Sequence, residues 1–260
     1  MAKTAKTKAE KGAVKTDAPV VEVKYERCAG IDVHKEQITV CLVAGEKKEI
    51  REYGTMTADL LDCIAWLTEE GCEVALMEST SVYWKPVYNL FEASDIEMKV
   101  ANAFSVKQIS GRRTDVQSSE WLATLLRFGL VKCSYIPGRD QRETRELVRY
   151  RNSLVQERAR EVNRIHKVLE GANIKLSSVV SDMQGESALS IIRLITTGEV
   201  DPVILSMEAQ GSLKKKIPEL QRALLGSIGQ HQQAMLGHQI GHYDFLCAAI
   251  KSLDEDIKKN

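Results

Sequence analysis

The sequence predicts an α/β protein in which a mixed β-sheet with helices on both faces is followed by an α-helical region. Over residues 25–137, apolar β-branched runs and amphipathic stretches follow the order β-β-β-α-β-α-β-α. An antiparallel meander continued by βα units satisfies this order most simply. After Pro137-Gly138 the pattern becomes polar and helical, which predicts a second region over residues 138–260. Residues 1–24 are rich in Lys, Ala and Thr and are predicted to be a disordered basic arm.

The first three strands are predicted over residues 28–34, 38–43 and 48–53, because apolar and β-branched residues alternate there between short turns. Thr57 is the expected N-cap of a helix that ends at Gly71. One face of that helix is expected to carry Leu60, Leu61, Ile64 and Leu67. Strands at 73–77 and 97–101 and helices at 82–93 and 115–128 complete the predicted domain.

In the second region a long polar helix is predicted over residues 140–171, with a break at 173–181 and further helices from residue 185. Near the end, apolar residues keep the three-four spacing of a coiled-coil seam: Leu246, Ile250, Leu253 and Ile257. This seam predicts a homo-oligomer. It continues to the last residues without a Gly cap or a Pro stop, which predicts that the sequence is truncated.

Composition excludes several classes of protein. No apolar stretch approaches the roughly 18 residues of a membrane span, and the N-terminus lacks the apolar core of a signal peptide. The six cysteines form no CxxC pair and sit in apolar runs, as small buried hydrophobes do in a reducing cytosol. We therefore expect a cytoplasmic protein with neither a disulfide framework nor a zinc framework.

Three carboxylates stand where a metal site can form. Asp32 interrupts an apolar strand, Glu78 ends the strand at 73–77, and Asp115 opens a helix. Brought together, they would offer the oxygen ligands that a hard cation takes. Taken singly, Asp115 is also explained as a charge favoured by the helix dipole, and Glu78 as a strand-end cap.

Several segments together resemble the DEDD transposases of bacterial insertion sequences, which are related to the Piv-type invertases. The matching segments are residues 30–35 (GIDVHK), 77–88 (MESTSVYWKPVY), 100–103 (VANA), 113–116 (RTDV), 121–123 (WLA), 147–151 (LVRYR) and 170–182. The resemblance implies an RNase-H-like, RuvC-like domain at 25–137 whose acidic tetrad binds Mg²⁺, as a two-metal site in a complete enzyme. It also implies a helical coiled-coil region, a further domain with a serine nucleophile, DNA as substrate and a structured guide RNA as partner.

Asp32, Glu78 and Asp115 fall on the first three acidic positions of that family and are the predicted catalytic and metal-binding residues. The fourth acid is expected three residues after Asp115, where this chain has Ser118. Glu120 lies five residues after Asp115, which places it about 140° around an α-helix from Asp115, because each residue turns the helix by about 100°. It is therefore not expected to replace the missing acid.

Basic residues on the long helix recur at spacings that return to one side: Arg145, Arg149, Arg160, Arg164 and Lys167. Such a stripe can track phosphates, and Val155, Ala159, Val162 and Leu169 are expected to line another side. A solvated face balanced by Glu residues is the alternative. Arg112 and Arg113, just before Asp115, are expected to steer a phosphate to the metal.

Other residues favour structural roles. Tyr83 and Trp84 can stack on bases but are more typical of a core beside Pro86. His231, His238 and His242 are more typical of a surface or a polar layer between helices than of a metal site.

The leading hypothesis is an incomplete DEDD transposase that acts in DNA transposition and recombination. The alternatives are a catalytically inactive RNA- or DNA-binding remnant and a stand-alone RuvC-like nuclease. An actin-like ATPase is less favoured, because no Gly-rich phosphate loop follows the first strands.

Overall fold

The computed structural model describes residues 22–79, 81–108 and 114–259, without the side chains of residues 105, 107 and 108. Most of the predicted basic arm, together with Arg112 and Arg113, lies outside the described residues. The chain divides into two compact units, Met1–Ile136 and Pro137–Asn260. Each is described by itself.

The first unit is built on one six-stranded sheet. Its strands are β1 (Arg27–Val33), β2 (Gln37–Ala44), β3 (Lys47–Gly54), β4 (Val74–Glu78), β5 (Glu97–Ala101) and β6 (Cys133–Ser134). They lie in the order β3-β2-β1-β4-β5-β6. β2 is antiparallel to β1 and β3, whereas β4 is parallel to β1 and β5, and β6 is antiparallel to β5. This is the predicted RNase-H-like meander continued by βα units, with a short strand β6 that the sequence did not indicate.

Helices cover both faces of this sheet: α1 (Thr57–Glu69), α2 (Trp84–Phe91), α3 (Ala103–Gln108) and α4 (Asp115–Arg127). Side chains along β1 point alternately to the two faces of the sheet, so each face has its own core. Ile31 packs with α1 and α2 on one face, and Cys28 packs with α3 and α4 on the other. The predicted mixed sheet with helices on both faces is confirmed.

Two details of α1 differ from prediction. Met56 is the N-cap and Thr57 is the first helical residue, so the capping role expected of Thr57 is wrong. Leu61 is 50% exposed, and Cys63 and Trp66 are buried in addition to the three other predicted residues. Leu61 lies about 100° around the helix from Leu60 and therefore turns away from the sheet.

The second unit is helical. It contains α5 (Arg139–Gly171), α6 (Glu186–Thr196), α7 (Pro202–Ser206), α8 (Ile217–Ala223) and α9 (Gln230–Lys259), with 3₁₀ turns at Leu176–Ser178 and Gly211–Lys216. α5 and α9 pack as an antiparallel pair, since Arg151 contacts Asp254 at one end and Glu161 contacts His242 further along. No helix within residues 22–79, 81–108 and 114–259 is long and apolar enough to cross a membrane.

Candidate metal centre

A glycine in β1 brings helix α4 directly onto the sheet. A Cβ atom on Gly30 would lie 2.1 Å from the carbonyl oxygen of Ser119 and 2.3 Å from the amide nitrogen of Ala123. Both are backbone atoms of α4, so only glycine allows this approach. The first turn of α4 is consequently held beside the end of β1, where Asp32 lies.

The start of α4 is fixed by a capping box. The Thr114 hydroxyl accepts a hydrogen bond from the amide of Gln117 at 3.3 Å, and the Gln117 side chain accepts one from the amide of Thr114 at 3.2 Å. Asp115 is therefore the first helical residue. The place of Asp115 at the start of α4 is set locally by the capping box, whereas its short distance from Asp32 is set by the packing of α4 against Gly30.

Asp32, His34 and Asp115 form a group in which one potential ligand atom from each residue lies within 4.8 Å of the others. Nε2 of His34 lies 3.5 Å from Oδ2 of Asp32 and 3.3 Å from Oδ1 of Asp115. The Asp32 side chain is 14% exposed, whereas those of His34 and Asp115 are about half exposed. The group is thus open to solvent on one side and anchored by a largely buried carboxylate on the other.

The pKa of Asp32 is raised, first because burial disfavours the charged carboxylate and then because Asp115 adds a second negative charge nearby. His34 opposes this shift through its charge and a hydrogen bond, and the Ser118 hydroxyl opposes it by hydrogen bonding to the carboxylate. Two carboxylates held this close, one of them buried, form a site whose repulsion a bound cation can relieve.

Glu78 ends the strand beside β1. Met77 of β4 pairs with Ile31 of β1 in the parallel ladder. Glu78 follows Met77 and Asp32 follows Ile31, so the two acids lie at the same level on neighbouring strands. Glu78 is half-buried and is not a member of the group formed by Asp32, His34 and Asp115 among the described residues. The structure places all three predicted acids at one edge of the sheet and brings two of them into close proximity.

Ser118, at the position where the resemblance predicts a fourth acid, hydrogen-bonds to the Asp32 carboxylate through its hydroxyl but carries no charge. Glu120 lies in an ion pair with Lys48 of β3, with Oε1 2.7 Å from Nζ. It therefore points to the β2–β3 hairpin, in agreement with the expectation that it does not replace the missing acid.

Sequence reasoning missed His34. The signal was present, because residues two apart in a strand project to the same face and His34 follows Asp32 at that spacing. His34 lies one residue beyond β1, and its backbone amide donates a hydrogen bond to the carbonyl of Gln37 at 3.0 Å. This bond closes the β1–β2 turn and holds the residue at the edge of the sheet.

In the second unit, the predicted basic residues all lie on α5 and are exposed: Arg145, Arg149, Arg160, Arg164 and Lys167. Arg160 lies 3.8 Å from Glu157, and Arg164 lies 2.6 Å from Glu161. Within the part of α5 and α9 that the structure describes, the other three make no ion pair. We call these five residues the basic stripe.

The predicted apolar face of α5 is confirmed only in part: Leu169 is buried, and Val155 packs partly buried against the cluster that contains Leu154. Ala159 is exposed, and the buried side chains are Leu154, Glu161, Ile165 and Leu169. These residues recur at spacings of seven, four and four positions and lie on the side away from the basic stripe. The prediction differs at Ala159, which was expected to be apolar core but is exposed, and at Glu161, which was expected to be a surface charge but is buried.

The coiled-coil residues of α9 have partners within the chain. Leu246 and Ile250 are buried with Leu154 of α5, and Leu253 packs against the same cluster. His242 lies 3.2 Å from the buried Glu161, which supports the expected polar layer between helices, and His231 and His238 are exposed. Trp84 packs against the core and contacts Tyr88 edge-on, whereas Tyr83 is 38% exposed.

Comparison with known proteins adds an independent finding. A family model for transposases, the DEDD type of IS110 elements, matches residues 29–174. No curated protein gave a significant match. Seven chains of solved structures match, among them T. thermophilus RuvC in complex with a Holliday junction substrate. That chain is 12% identical, with a TM-score of 0.32, and the match covers 42% of this chain and 100% of that one.

The family match spans more than half of the 260 residues and includes Asp32, Glu78 and Asp115. It begins within β1 and runs past the end of α5. The chain therefore belongs to the DEDD transposase family of IS110 elements.

Proposed function

We propose that this protein acts in DNA transposition and recombination and holds a divalent cation between Asp32 and Asp115, with Glu78 as a third acid. The observation that carries the proposal is the convergence of two carboxylates from β1 and α4 at the edge of the sheet where β4 also ends. Membership of a transposase family supports DNA as the substrate.

The residues present fit a hard cation. Carboxylate oxygens are the ligands that Mg²⁺ takes in proteins. Burial and, to a smaller extent, the nearby Asp115 charge raise the pKa of Asp32, and a bound cation would offset both effects. Bound Mg²⁺ would supply charge stabilisation at phosphate oxygens, and a complete site of this class would hold two ions. The chain's own contribution is to orient Asp32 and Asp115 through the Gly30 contact.

The basic stripe supports binding of a polyanion. Its side chains are exposed, and three of the five carry a charge that no described acid neutralises. Arginine engages phosphate oxygens with two parallel hydrogen bonds, so the stripe can follow a DNA or RNA backbone. We include a structured guide RNA as a partner, and Arg112 and Arg113 as further phosphate contacts near the acids.

We also propose that this protein is bacterial and cytoplasmic. We further propose that it self-associates through the α5–α9 pair. Leu246 and Ile250 of the coiled-coil seam are already buried within one chain. The surface left for a second copy is therefore the end of this seam at Leu253 and Ile257, both half-exposed. Sedimentation analysis of an Ile257→Asp variant tests this, and an unchanged mass would remove the proposed interface.

One observation favours a second candidate function, that of a nucleic-acid-binding protein without nuclease activity. Ser118 replaces a charged ligand with a neutral hydroxyl, which weakens a divalent site. A stand-alone RuvC-like nuclease that uses the three remaining acids is the third candidate.

Calorimetric titration with Mg²⁺ separates these functions, with structured RNA present and absent. Wild type is compared with Ser118→Asp, with the uncharged control Ser118→Asn and with Asp32→Ala. Binding by Ser118→Asp alone supports a correctly placed but weakened site and the non-catalytic function. Equal binding by wild type and Ser118→Asp, lost in Asp32→Ala, supports the metal-dependent function. Binding by none of the proteins contradicts the proposed site.

Cleavage of branched DNA tests the nuclease directly. Mg²⁺-dependent cleavage that Asp32→Ala abolishes, with unchanged DNA affinity, supports a stand-alone nuclease. DNA binding without cleavage supports the second candidate.

A further inference from the structure

We propose that His34 is a nitrogen ligand of the cation, and that the site consequently prefers Mn²⁺ to Mg²⁺. The inference rests on the proposed function, because it assumes that Asp32 and Asp115 hold a divalent cation. It adds to that site a histidine ligand, which is not among the acids predicted from the sequence.

The distances fit coordination of one ion. Two ligand atoms on adjacent positions of an octahedral ion lie about 3 Å apart when each metal bond is about 2.1 Å. Nε2 of His34 lies 3.3 Å from Asp115 and 3.5 Å from Asp32. Movements of a few tenths of an ångström would therefore bring the imidazole nitrogen to the separation that adjacent ligands have, and the ligand atoms of the two carboxylates lie within 4.8 Å of each other.

The surroundings of His34 leave its ring available. Its side chain is 47% exposed, so a cation can approach without displacing core residues. In the part of the chain that the structure describes, its polar side-chain partners are the two carboxylates themselves. The turn that holds its backbone, through the bond to Gln37, keeps the imidazole on the same face as Asp32.

The ligand set decides the metal preference. Mg²⁺ takes oxygen ligands almost exclusively, whereas imidazole nitrogen suits first-row transition metals. With Ser118 in place of an acid, the site has lost a charged oxygen ligand and gained a neutral nitrogen donor. The lost oxygen ligand weakens the site for both ions, whereas the nitrogen donor disfavours Mg²⁺ relative to Mn²⁺, a first-row transition metal.

Pulsed electron paramagnetic resonance of Mn²⁺ bound to the full chain tests the proposal, because a coordinated imidazole gives a ¹⁴N coupling. Wild type should show this coupling, and His34→Gln should lose it while its Mn²⁺ affinity falls at least about tenfold. The Mg²⁺ affinity of His34→Gln should change much less. His238→Gln, which removes an exposed histidine of α9, is the matched control and should behave as wild type.

The outcomes separate the two proposals. Mn²⁺ binding that depends on Asp32 but shows no ¹⁴N coupling, or is unaffected by His34→Gln, overturns the role of His34 and leaves the proposed function intact. Absence of both Mn²⁺ and Mg²⁺ binding by wild type overturns the proposed function as well. Thermal unfolding of metal-free His34→Gln, expected to match wild type, shows that any loss of affinity is not a loss of fold.

Discussion

The imidazole of His34 and the carboxylate of Asp115 lie 3.3 Å apart, although one follows a β-strand and the other begins a helix far along the chain. Their approach depends on a contact elsewhere, the packing of α4 onto Gly30. The geometry of the candidate site is therefore a consequence of core packing.

Gly30→Ala tests this dependence. The added methyl would overlap backbone atoms of α4, which cannot rotate away as a side chain can. We expect the free energy of unfolding to fall by about 3 kcal/mol, at the upper end for overpacked cores. Urea unfolding measures the loss. Gly237→Ala is the control, because a Cβ there meets nothing within 4 Å and alanine favours a helix; equal effects of the two substitutions would contradict the proposed role of Gly30.

Asp32→Asn should stabilise the metal-free protein at neutral pH. The folded-state pKa of Asp32 is raised, chiefly by burial, so the folded state binds its proton more tightly than the unfolded state. Stability associated with this group is present in acid and is lost as the pH rises through its folded pKa. The variant should therefore exceed wild type in unfolding free energy at neutral pH, and the difference should shrink in acid.

Chemical unfolding over a pH series measures this difference. Asp62→Asn is the control, because it removes the same charge from an exposed position of α1. A difference between Asp32→Asn and wild type that grows in acid would have the wrong sign for a buried, repelled carboxylate.

Arg149→Ala should weaken binding to DNA or RNA at any sequence. Removing one phosphate contact is expected to reduce the slope of log affinity against log salt by about 0.9 for duplex DNA. Fluorescence anisotropy over a salt series gives the slope. Arg193→Ala removes the same charge from an arginine paired with Asp244 on α9. If both variants change the slope equally, the basic stripe has no special role.

Leu246→Ala should destabilise the helical unit. Leu246 is 1% exposed and packs with Leu154, so the truncation leaves a cavity between α5 and α9 and costs about 2–5 kcal/mol. Leu253→Ala, at a half-buried position of the same apolar seam of α9, should lower the free energy of unfolding by less. Thermal unfolding compares the two, and a similar small loss for both would place Leu246 outside a packed core.

Glu120→Gln should leave metal binding unchanged, because Glu120 is paired with Lys48 on the β3 side of α4. Its stability should fall by less than about 1 kcal/mol, as for other surface ion pairs. Calorimetry with Mn²⁺ and Mg²⁺ measures the first effect, and reduced affinity for either ion would mean that Glu120 does reach the site.

Most of the sheet was predictable, because strand alternation and the spacing of turns are local properties. The residues around Ile31 and Val33 predicted a strand with one buried face, and both are buried in β1. The strand β6 escaped prediction because two residues give no periodicity, and its pairing with β5 is a long-range contact. The part of the α5 face that differs from prediction has a related origin, since the buried Glu161 makes a core position look like a surface one.

The sequence by itself determined the order of elements, placed Asp32 in the first strand, Glu78 at the end of another and Asp115 at the start of a helix, and put Ser118 where the resemblance predicts a fourth acid. Only the tertiary structure decided that His34 joins Asp32 and Asp115, that Glu120 turns to Lys48, and that Leu246 is covered by α5. The physical reason is that propensity and periodicity act over a few residues, whereas these contacts depend on how closely distant backbones approach. At Gly30 that approach is set by the absence of a single methyl group.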